Sequence, residues 1–422
     1  MACIPLNSQG AGHYFFITEI STKQLRGDLS MKKHSSDKKT PFWRDKRILP
    51  ILLQALFAVL VVLAGVFLFT NALESMKQIG LVFGYDFLSK MAQFDIGDKV
   101  IEFSSTDSYG KAFIVGILNT IKVAFIGIIF ATILGFIVGI SRLSTNWLAK
   151  KVAAFYVEIF RNTPLLVQIF IWFYAVFLSF PVIGKSLNVM GLFFFSNRGS
   201  AIPWFDLTSS TMIWFISLLI GLTLSIVVWK VRLKRQIELG KRKYPIYSAF
   251  ATLVILLSFT WFITFEFPLR LSIPEATGRG FVGGYTFGPG FGALLVALVM
   301  YTASFIAEIV RGGIMAVSKG QVEAAKALGL KNATILRLVV LPQAIRIIIP
   351  PLTSQYLNLI KNSSLAAAVA YQEVVGVGIT VLSQTGRSIE VISIVILVYL
   401  SMSLLTSFLM NIFNKYTQLV ER

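Results

Sequence analysis

The sequence has few of the side chains that build metal and catalytic centres. Among its 422 residues there is one cysteine, Cys3, and there are two histidines, His13 and His34. A single cysteine excludes a disulfide within the chain and a metal site built from several cysteines. Both histidines lie close to the N terminus. We therefore predict no metal site, and we expect no catalytic centre that depends on histidine.

Charged residues are also scarce. They make up 14% of the chain, against about 25% in soluble domains, whereas 55% of the residues are apolar. This composition argues against a soluble enzyme and against disorder, and it favours the lipid bilayer as the solvent. Lys and Arg total 39 and Asp and Glu total 20, which gives a formal net charge of +19. We expect no nucleic-acid partner, because the basic stretches are short, alternate with apolar runs and lack interleaved aromatic residues.

Apolar runs long enough to cross a bilayer recur along the chain. A span needs about 20 apolar residues. Eight candidates lie at about 48–70, 112–140, 163–183, 212–229, 248–266, 291–310, 344–361 and 389–413. Lipid leaves backbone groups no partner outside the span, and these runs lack the alternation of barrel strands, so we expect helices. The predicted fold class is all-α, a polytopic helical membrane protein with about eight transmembrane helices.

The connections between these runs alternate in charge. Basic connections lie at about 141–161, 230–243 and 311–346, while the connection at 71–111 is acidic or balanced. Basic loops remain in the cytoplasm, so both termini are predicted to be cytoplasmic. The predicted organisation has four parts: a basic cytoplasmic tail at 1–47, a first transmembrane helix at 48–70, an outer loop at 71–111 and a main transmembrane domain at 112–415.

One cytoplasmic segment, within residues 317–350, has a distinctive pattern. Helix-forming residues run from Gln321 to Leu328, and Gly329 follows at the position of a C-terminal cap. Asn332 is a plausible N-cap for a second short helix that would end near Leu341, before Pro342. The first helix is predicted to present a surface of small residues with charges beside it: Glu323, Ala324, Ala325, Lys326, Ala327 and Leu328. Such a surface suits close approach by another protein, although an ordinary amphipathic interfacial helix would show a similar pattern.

These residues resemble a known family. Glu323-Ala324-Ala325, Gly329 and then Leu341-Pro342 are similar to the coupling-loop signature of ATP-binding cassette (ABC) importer permeases. FRNTPLLVQ at 160–168 and AEIVRGGI at 307–314 are similar to motifs of the polar amino-acid permeases, which serve histidine, glutamate, glutamine and arginine. The family usually has glycine where Asn162 stands. Residues 184–290 are inserted relative to common members, and this enlarged form resembles the broad-specificity L-amino-acid permeases.

The resemblance implies a function and a set of partners. It implies a type I ABC importer permease core with a coupling loop at about 313–345, which moves amino acids across the inner membrane. The implied partners are an ABC ATPase dimer, a companion permease forming a heterodimer, a periplasmic amino-acid-binding protein and the amino-acid substrate.

No cofactor is expected on this chain, since ATP and Mg would bind the partner ATPase. The sequence lacks a phosphate-binding loop: Gly184-Lys185-Ser186 is the nearest match, but Ser179 replaces the first glycine. The alternative is an ion-coupled secondary amino-acid transporter.

Two pairs of charges repeat the same spacing near the cytoplasmic ends of predicted spans. They are Glu158 with Arg161 and Glu308 with Arg311, each three residues apart and so on one helix face. They are candidates for a cytoplasmic gate or brace. Paired boundary charges that set the depth of a helix would give the same pattern.

Candidate substrate-binding residues lie near the end of the seventh run. They are Asn358, Lys361, Ser363, Ser364 and, further along, Glu373. Lys361 has the charge to meet a substrate carboxylate, and Glu373 the charge to meet an ammonium group. The alternative is that Lys361 simply ends the helix and reaches the membrane surface. Lys122 is a further candidate, because an ionisable residue within a span is costly and is therefore usually functional.

Overall fold

The computed structural model describes residues 49–78, 80, 83–240, 244–278 and 280–417. The chain forms two units, Met1–Gly80 and Leu81–Arg422. The predicted basic tail at 1–47 lies outside the described residues, as do residues 241–243 of one predicted basic connection.

The described part of the first unit is one helix, α1, at Leu49–Gln78. The first 25 residues of the helix carry no charge, and Glu74 is its first charged residue. Glu74 lies just beyond the apolar run predicted at 48–70. Thirty residues at 1.5 Å each span about 45 Å, more than the roughly 30 Å of a hydrocarbon core. Exposed leucine, valine and phenylalanine side chains cover the helix, as a lipid-facing span requires.

The described part of the second unit contains eleven α-helices. They are α2 at Tyr109–Ser141, α3 at Trp147–Asn162, α4 at Leu165–Phe170, α5 at Thr211–Leu239, α6 at Pro245–Thr264, α7 at Pro289–Met315, α8 at Lys319–Ala327, α9 at Asn332–Ile335, α10 at Leu341–Asn362, α11 at Val374–Thr385 and α12 at Ser388–Thr417. In the described residues seven helices are long and apolar enough to cross a membrane, or eight if one bent pair forms a single span. The predicted helical, polytopic fold is confirmed.

The bent pair corrects the predicted third span at 163–183. The pair comprises α3 and the segment Leu165–Phe177, with a bend of 105° between them. Thr163 ends α3 in an extended conformation, with φ −95° and ψ 129°. Pro164 explains this break, since a residue before proline is forced out of the helical region. Beyond α4 the chain continues as a π-helical turn, Ile171–Phe177.

Helix α7 is the centre of the second unit, and α2 lies closely against it. An added Cβ at Gly135 of α2 would lie 2.5 Å from Ile306 Cγ2 and 3.1 Å from the Ala303 carbonyl oxygen. Gly139, one turn further, would meet Val310 and the Ala307 carbonyl in the same way. Glycine therefore lets the two backbones approach, as small residues do in membrane helix pairs.

We expect Gly135→Val to destabilise the second unit. Overpacking of a filled core costs about 1–3 kcal/mol, so the purified chain should melt at a lower temperature in detergent. Gly312→Val is the matched control, because nothing lies within 4 Å of an added Cβ at Gly312. Equal melting temperatures for the two variants would contradict this account of the α2–α7 contact.

The inserted residues 184–290 hold both helices and strands. Helices α5 and α6 form the two predicted extra spans and pack on each other, with a buried Ser217–Thr260 hydrogen bond between them. The strands are β1 at Leu187–Val189, β2 at Phe193–Ser196, β3 at Gly199–Ile202, β4 at Trp204–Leu207, β5 at Leu269–Ser272, β6 at Glu275–Ala276, β7 at Phe281–Val282 and β8 at Tyr285–Phe287. They form an antiparallel sheet in the order β1-β2-β3-β8 and two separate pairs, β4-β5 and β6-β7. Sequence reasoning missed these strands.

The predicted outer loop at 71–111 is shorter and more ordered than expected. Helix α1 includes its first residues and α2 its last ones. Between them, a short 3₁₀ helix at Asp86–Ser89 and the buried side chains of Phe87, Ile96 and Phe103 form a core with α2, α11 and α12. This segment is therefore a folded cap on one end of the second unit.

Candidate functional site

The predicted coupling segment is a helix, a glycine turn and a second helix. Gly329 has φ +74°, a conformation that costs other residues free energy. The Gly329 amide donates to the Lys326 carbonyl at 2.9 Å and the Leu330 amide donates to the Ala325 carbonyl at 3.2 Å. These bonds satisfy the last carbonyl groups of α8, as expected for a glycine C-terminal cap.

The second helix of the segment differs from the prediction. Asn332 is the first residue of α9 rather than its N-cap, because the preceding Lys331 takes that position. The helix also does not end before Pro342. It passes through a π-helical turn, Leu336–Val340, into α10, so that one helical span runs over Asn332–Val369. A proline lacks the amide that a regular helix uses, and the π-helical turn before Pro342 lets the chain continue without it.

The surface of α8 is divided between an exposed face and a buried one. Leu328 is 79% exposed, and Glu323, Ala324 and Ala327 are also exposed. Ala325 is only 5% exposed and packs in the core beside Ile335 and Val340. The prediction that Ala325 belongs to the exposed surface is therefore wrong, because successive helical positions point about 100° apart. The exposed face is Glu323, Ala324, Lys326, Ala327 and Leu328.

Glu308 forms a charged brace between two helices. Its Oε1 accepts a hydrogen bond from Arg142 Nη1, and Arg142 is the C-cap of α2. Its Oε2 accepts from Arg311 Nε at 2.9 Å, within α7. The three side chains, which we call the Glu308 brace, are between 19% and 33% exposed. The sequence predicted the Arg311 contact, but Arg142 carried no signal beyond its place in a basic connection.

The other pair with this spacing behaves differently. Glu158 and Arg161 are both exposed and form no ion pair in the described part of the chain. Arg161 instead lies 5.6 Å from the ring centroid of Phe305 on α7, which is a cation–π contact. The expected pairing of Glu158 with Arg161 is therefore wrong, because the Arg161 side chain turns towards the ring of Phe305.

The five predicted substrate residues do not share one exposed surface, because Ser363 and Glu373 are buried. Asn358 and Lys361 are exposed on α10. Ser364 Oγ donates to the Lys361 carbonyl at 2.8 Å, and the buried Ser363 Oγ donates to the Ile360 carbonyl at 2.7 Å. Both hydroxyls thus satisfy the end of α10, and only Asn358 and Lys361 present free side-chain surface to a ligand.

Glu373 is a structural residue in this fold, which corrects its predicted contact with substrate. It is 0% exposed and caps α11: Oε1 accepts from the Val375 amide at 2.8 Å and from the Gly376 amide at 3.0 Å. Oε2 accepts from the hydroxyls of Tyr399, at 2.9 Å, and Thr120, at 3.3 Å. Because both oxygens are occupied, Glu373 ties α11 to α12 and α2 rather than meeting a ligand.

Polar surfaces therefore lie at both ends of the helical unit, as in any protein that crosses a membrane. The exposed face of α8 and the Glu308 brace are at one end. Lys122, on α2, lies nearer the other end beside the folded cap and the inserted sheet. The described residues contain no group of three or more His, Cys, Asp or Glu side chains placed to hold a metal ion. The fold and these surfaces define a polytopic helical membrane protein.

Comparison with known proteins identifies the family. Residues 240–418 match the model of the binding-protein-dependent transport system inner membrane component. The chain is 46% identical over 352 residues to the general L-amino acid transport system permease protein AapQ of Rhizobium johnstonii, a match that covers 83% of this chain and 88% of that protein. It is 38% identical over 413 residues to the glutamate/glutamine/aspartate/asparagine transport system permease protein BztB of Rhodobacter capsulatus. That match covers 90% of this chain and 96% of that protein.

A solved structure is also similar. A crystal structure of an amino acid ABC transporter with histidines matches with a TM-score of 0.44 and 21% identity, over 73% of this chain and 95% of that one. The identities to the two permeases are high and extend along most of both chains. The chain belongs to the family of amino-acid ABC transporter permeases, which confirms the resemblance drawn from the coupling segment.

Proposed function

We propose that this chain is the transmembrane subunit of an importer that moves general or polar L-amino acids across the inner membrane, driven by ATP hydrolysis on a separate ABC ATPase dimer. The names of the two relatives support this substrate class, since one refers to general L-amino acids and the other to glutamate, glutamine, aspartate and asparagine. The chain itself would not hydrolyse ATP, and ATP and Mg²⁺ would bind the partner.

The exposed face of α8 is proposed to dock on that ATPase. The carrying observation is the continuous span Asn332–Val369, which joins the coupling segment to the transmembrane core without a loop. A displacement of α8 would be transmitted through the Gly329 turn to α10, because a packed helix moves as a rigid element. Leu328 would supply apolar contact area, and Glu323 a charge that sets orientation.

The remaining partners follow from the two ends of the unit. The Arg346 Nε group donates to the Thr417 carbonyl at 2.9 Å, which places the end of α12 on the same side as α8. This supports a cytoplasmic C-terminal end of α12, since the surrounding connections are basic. A periplasmic amino-acid-binding protein would approach the opposite end, where the folded cap and the inserted sheets lie. A companion permease, forming a heterodimer with this chain, would complete the pathway.

Uptake of L-glutamate into proteoliposomes that hold the whole complex tests this proposal. We expect uptake to require ATP on the ATPase side and the binding protein outside, and to continue when a proton uncoupler is added and sodium is left out. Loading with a non-hydrolysable ATP analogue is the control and should abolish uptake. Uptake that proceeds without ATP and collapses with the uncoupler would instead favour the ion-coupled secondary transporter.

A further inference from the structure

A cleft of about 760 Å³ opens at the end of the second unit opposite the coupling segment. Its walls come from the folded cap, from strands β3 and β8, from the start of α7 and from the residues before α11. This volume lies within the 300–1,000 Å³ range of small-molecule sites. Its charged lining residues are Asp98, Lys99, Lys122 and Arg198.

Lys122 is the residue that points to a ligand. Its ammonium nitrogen donates to the Tyr285 hydroxyl at 3.0 Å and lies 4.4 Å from the ring centroid of Phe291. The rings of Tyr285 and Tyr371 are each 5.7 Å away. No carboxylate of the described residues lies within ion-pair distance of Lys122, so one neutral oxygen serves a group with three N–H donors. Such a cation, half-buried among aromatic rings, has donors left for an anion.

Asp98 provides the opposite charge in the same cleft. Its Oδ1 accepts a hydrogen bond from the Gly288 amide at 2.8 Å, at the start of α7. Burial raises the pKa of Asp98 above its ordinary range, and the Gly288 amide and the charge of Lys122 only partly offset that effect. A cationic group bound nearby would stabilise the ionised carboxylate. Asp98 and Lys122 thus offer two opposite charges that do not close on each other.

The remaining charges of the cleft determine which side-chain charge is favoured in a ligand. Lys99 is neutralised by Asp95 at 3.2 Å. Arg198 is exposed on the hairpin between β2 and β3, and no ion pair is formed by it in the described residues. With Lys122 matched against Asp98, Arg198 leaves the cleft with one positive charge in excess. This excess favours ligands with neutral or acidic side chains and disfavours basic ones.

We propose that this cleft binds the free amino acid as a zwitterion, with its α-carboxylate on Lys122 and its α-ammonium on Asp98, and that it selects against basic side chains. This inference rests on the proposed import of amino acids and names the site at which the chain would receive the substrate. The aromatic rings hold the Lys122 ammonium in place, so that no reorganisation is needed when the carboxylate arrives.

The main test measures transport and ATP hydrolysis together in proteoliposomes with the whole complex and saturating binding protein. Lys122→Met should lower the amount of radiolabelled L-glutamate imported per ATP at least tenfold, while ATP hydrolysis stimulated by the binding protein stays within twofold. Lys122→Arg should restore part of the coupling, because it restores the charge. Lys230→Met is the matched control, since Lys230 is an exposed lysine of α5, outside both the cleft and the folded cap.

Coupled glutamate import within twofold of wild type in Lys122→Met would overturn the inference and leave the proposed function intact. If the wild-type complex itself imports nothing with ATP, the proposed function fails instead. The two failures are therefore distinct.

A second measurement applies even if Lys122→Met does not assemble. In the complex without the binding protein, the probe is a Thr286→Cys variant of a chain that also carries Cys3→Ser, since Thr286 is an exposed residue lining the cleft and its replacement keeps Arg198. A maleimide reagent should label this position, and saturating L-glutamate should slow that labelling at least threefold while L-lysine does not. Labelling of a Lys90→Cys variant in the same background should not change with either amino acid. Equal labelling of Thr286→Cys with and without L-glutamate would overturn the inference.

Discussion

Replacing Gly329 with valine is expected to reduce ATP-driven amino-acid uptake at least tenfold while the chain remains in the membrane. Gly329 has φ +74°, and this left-handed conformation costs about 1–2 kcal/mol for an ordinary residue and more for a β-branched one. Since 1.4 kcal/mol is a factor of ten in an equilibrium, the turn between α8 and α9 would change shape. The exposed face of α8 would then point elsewhere.

The design separates backbone strain from steric clash. Nothing lies within 4 Å of an added Cβ at Gly329, so the Cβ itself meets no neighbouring atom and the effect of valine begins with the backbone. Gly329→Asn is the control, because asparagine tolerates the left-handed region and also adds a side chain. We expect this variant to import substrate at close to the wild-type rate. If the valine variant imports normally, the shape of this turn does not matter for coupling to the ATPase.

Reversing the charge of Glu308 is expected to have the second large effect. In Glu308→Arg, three positive side chains would meet where Arg142, Glu308 and Arg311 now form the brace. Hydrogen bonds to charged groups contribute about 1.5–3 kcal/mol each, and the added repulsion increases the loss. We expect a fall of several degrees in the melting temperature in detergent, together with a loss of uptake.

The matched control comes from the repeated spacing. Glu158→Arg makes the same change in the other Glu-x-x-Arg pair, but Glu158 is exposed and forms no ion pair in the described part of the chain. Exposed surface charges usually contribute within about 0.5 kcal/mol, so melting temperature and uptake should stay close to those of the wild type. If both variants melt alike, the Glu308 brace does not hold α2 to α7.

The helical architecture could be predicted because the bilayer restricts the choice of structure. All eight apolar runs contain helix, since a span in lipid has to satisfy its own backbone groups. The Gly329 turn could be predicted for a similar reason, because a glycine after a run of helix formers is a local signal. In contrast, the strands at 187–207 and 269–287 are two to four residues long, and such short segments carry no alternation that marks them.

The candidate site was less predictable, because its contacts join distant parts of the chain. The equal spacing of Glu158–Arg161 and Glu308–Arg311 suggested equal roles, but only Glu308 faces the end of α2. Glu373 was expected to meet substrate because its charge suits an ammonium group, but the amides of α11 and the Tyr399 hydroxyl occupy its carboxylate. Lys122 was recognised as costly, but its aromatic surroundings come from residues 285, 291 and 371.

The sequence by itself determined that this chain crosses the membrane several times as helices, and its local motifs determined the family and the helix–glycine–helix form of the coupling segment. These features depend on residues close together in the chain, where composition, periodicity and turn chemistry act directly. Only the tertiary structure decided that Ala325 faces inwards, that Arg142 completes the Glu308 brace and that Lys122 and Asp98 share a cleft. Those outcomes depend on how the helices pack, and packing places side chains together that no local pattern connects.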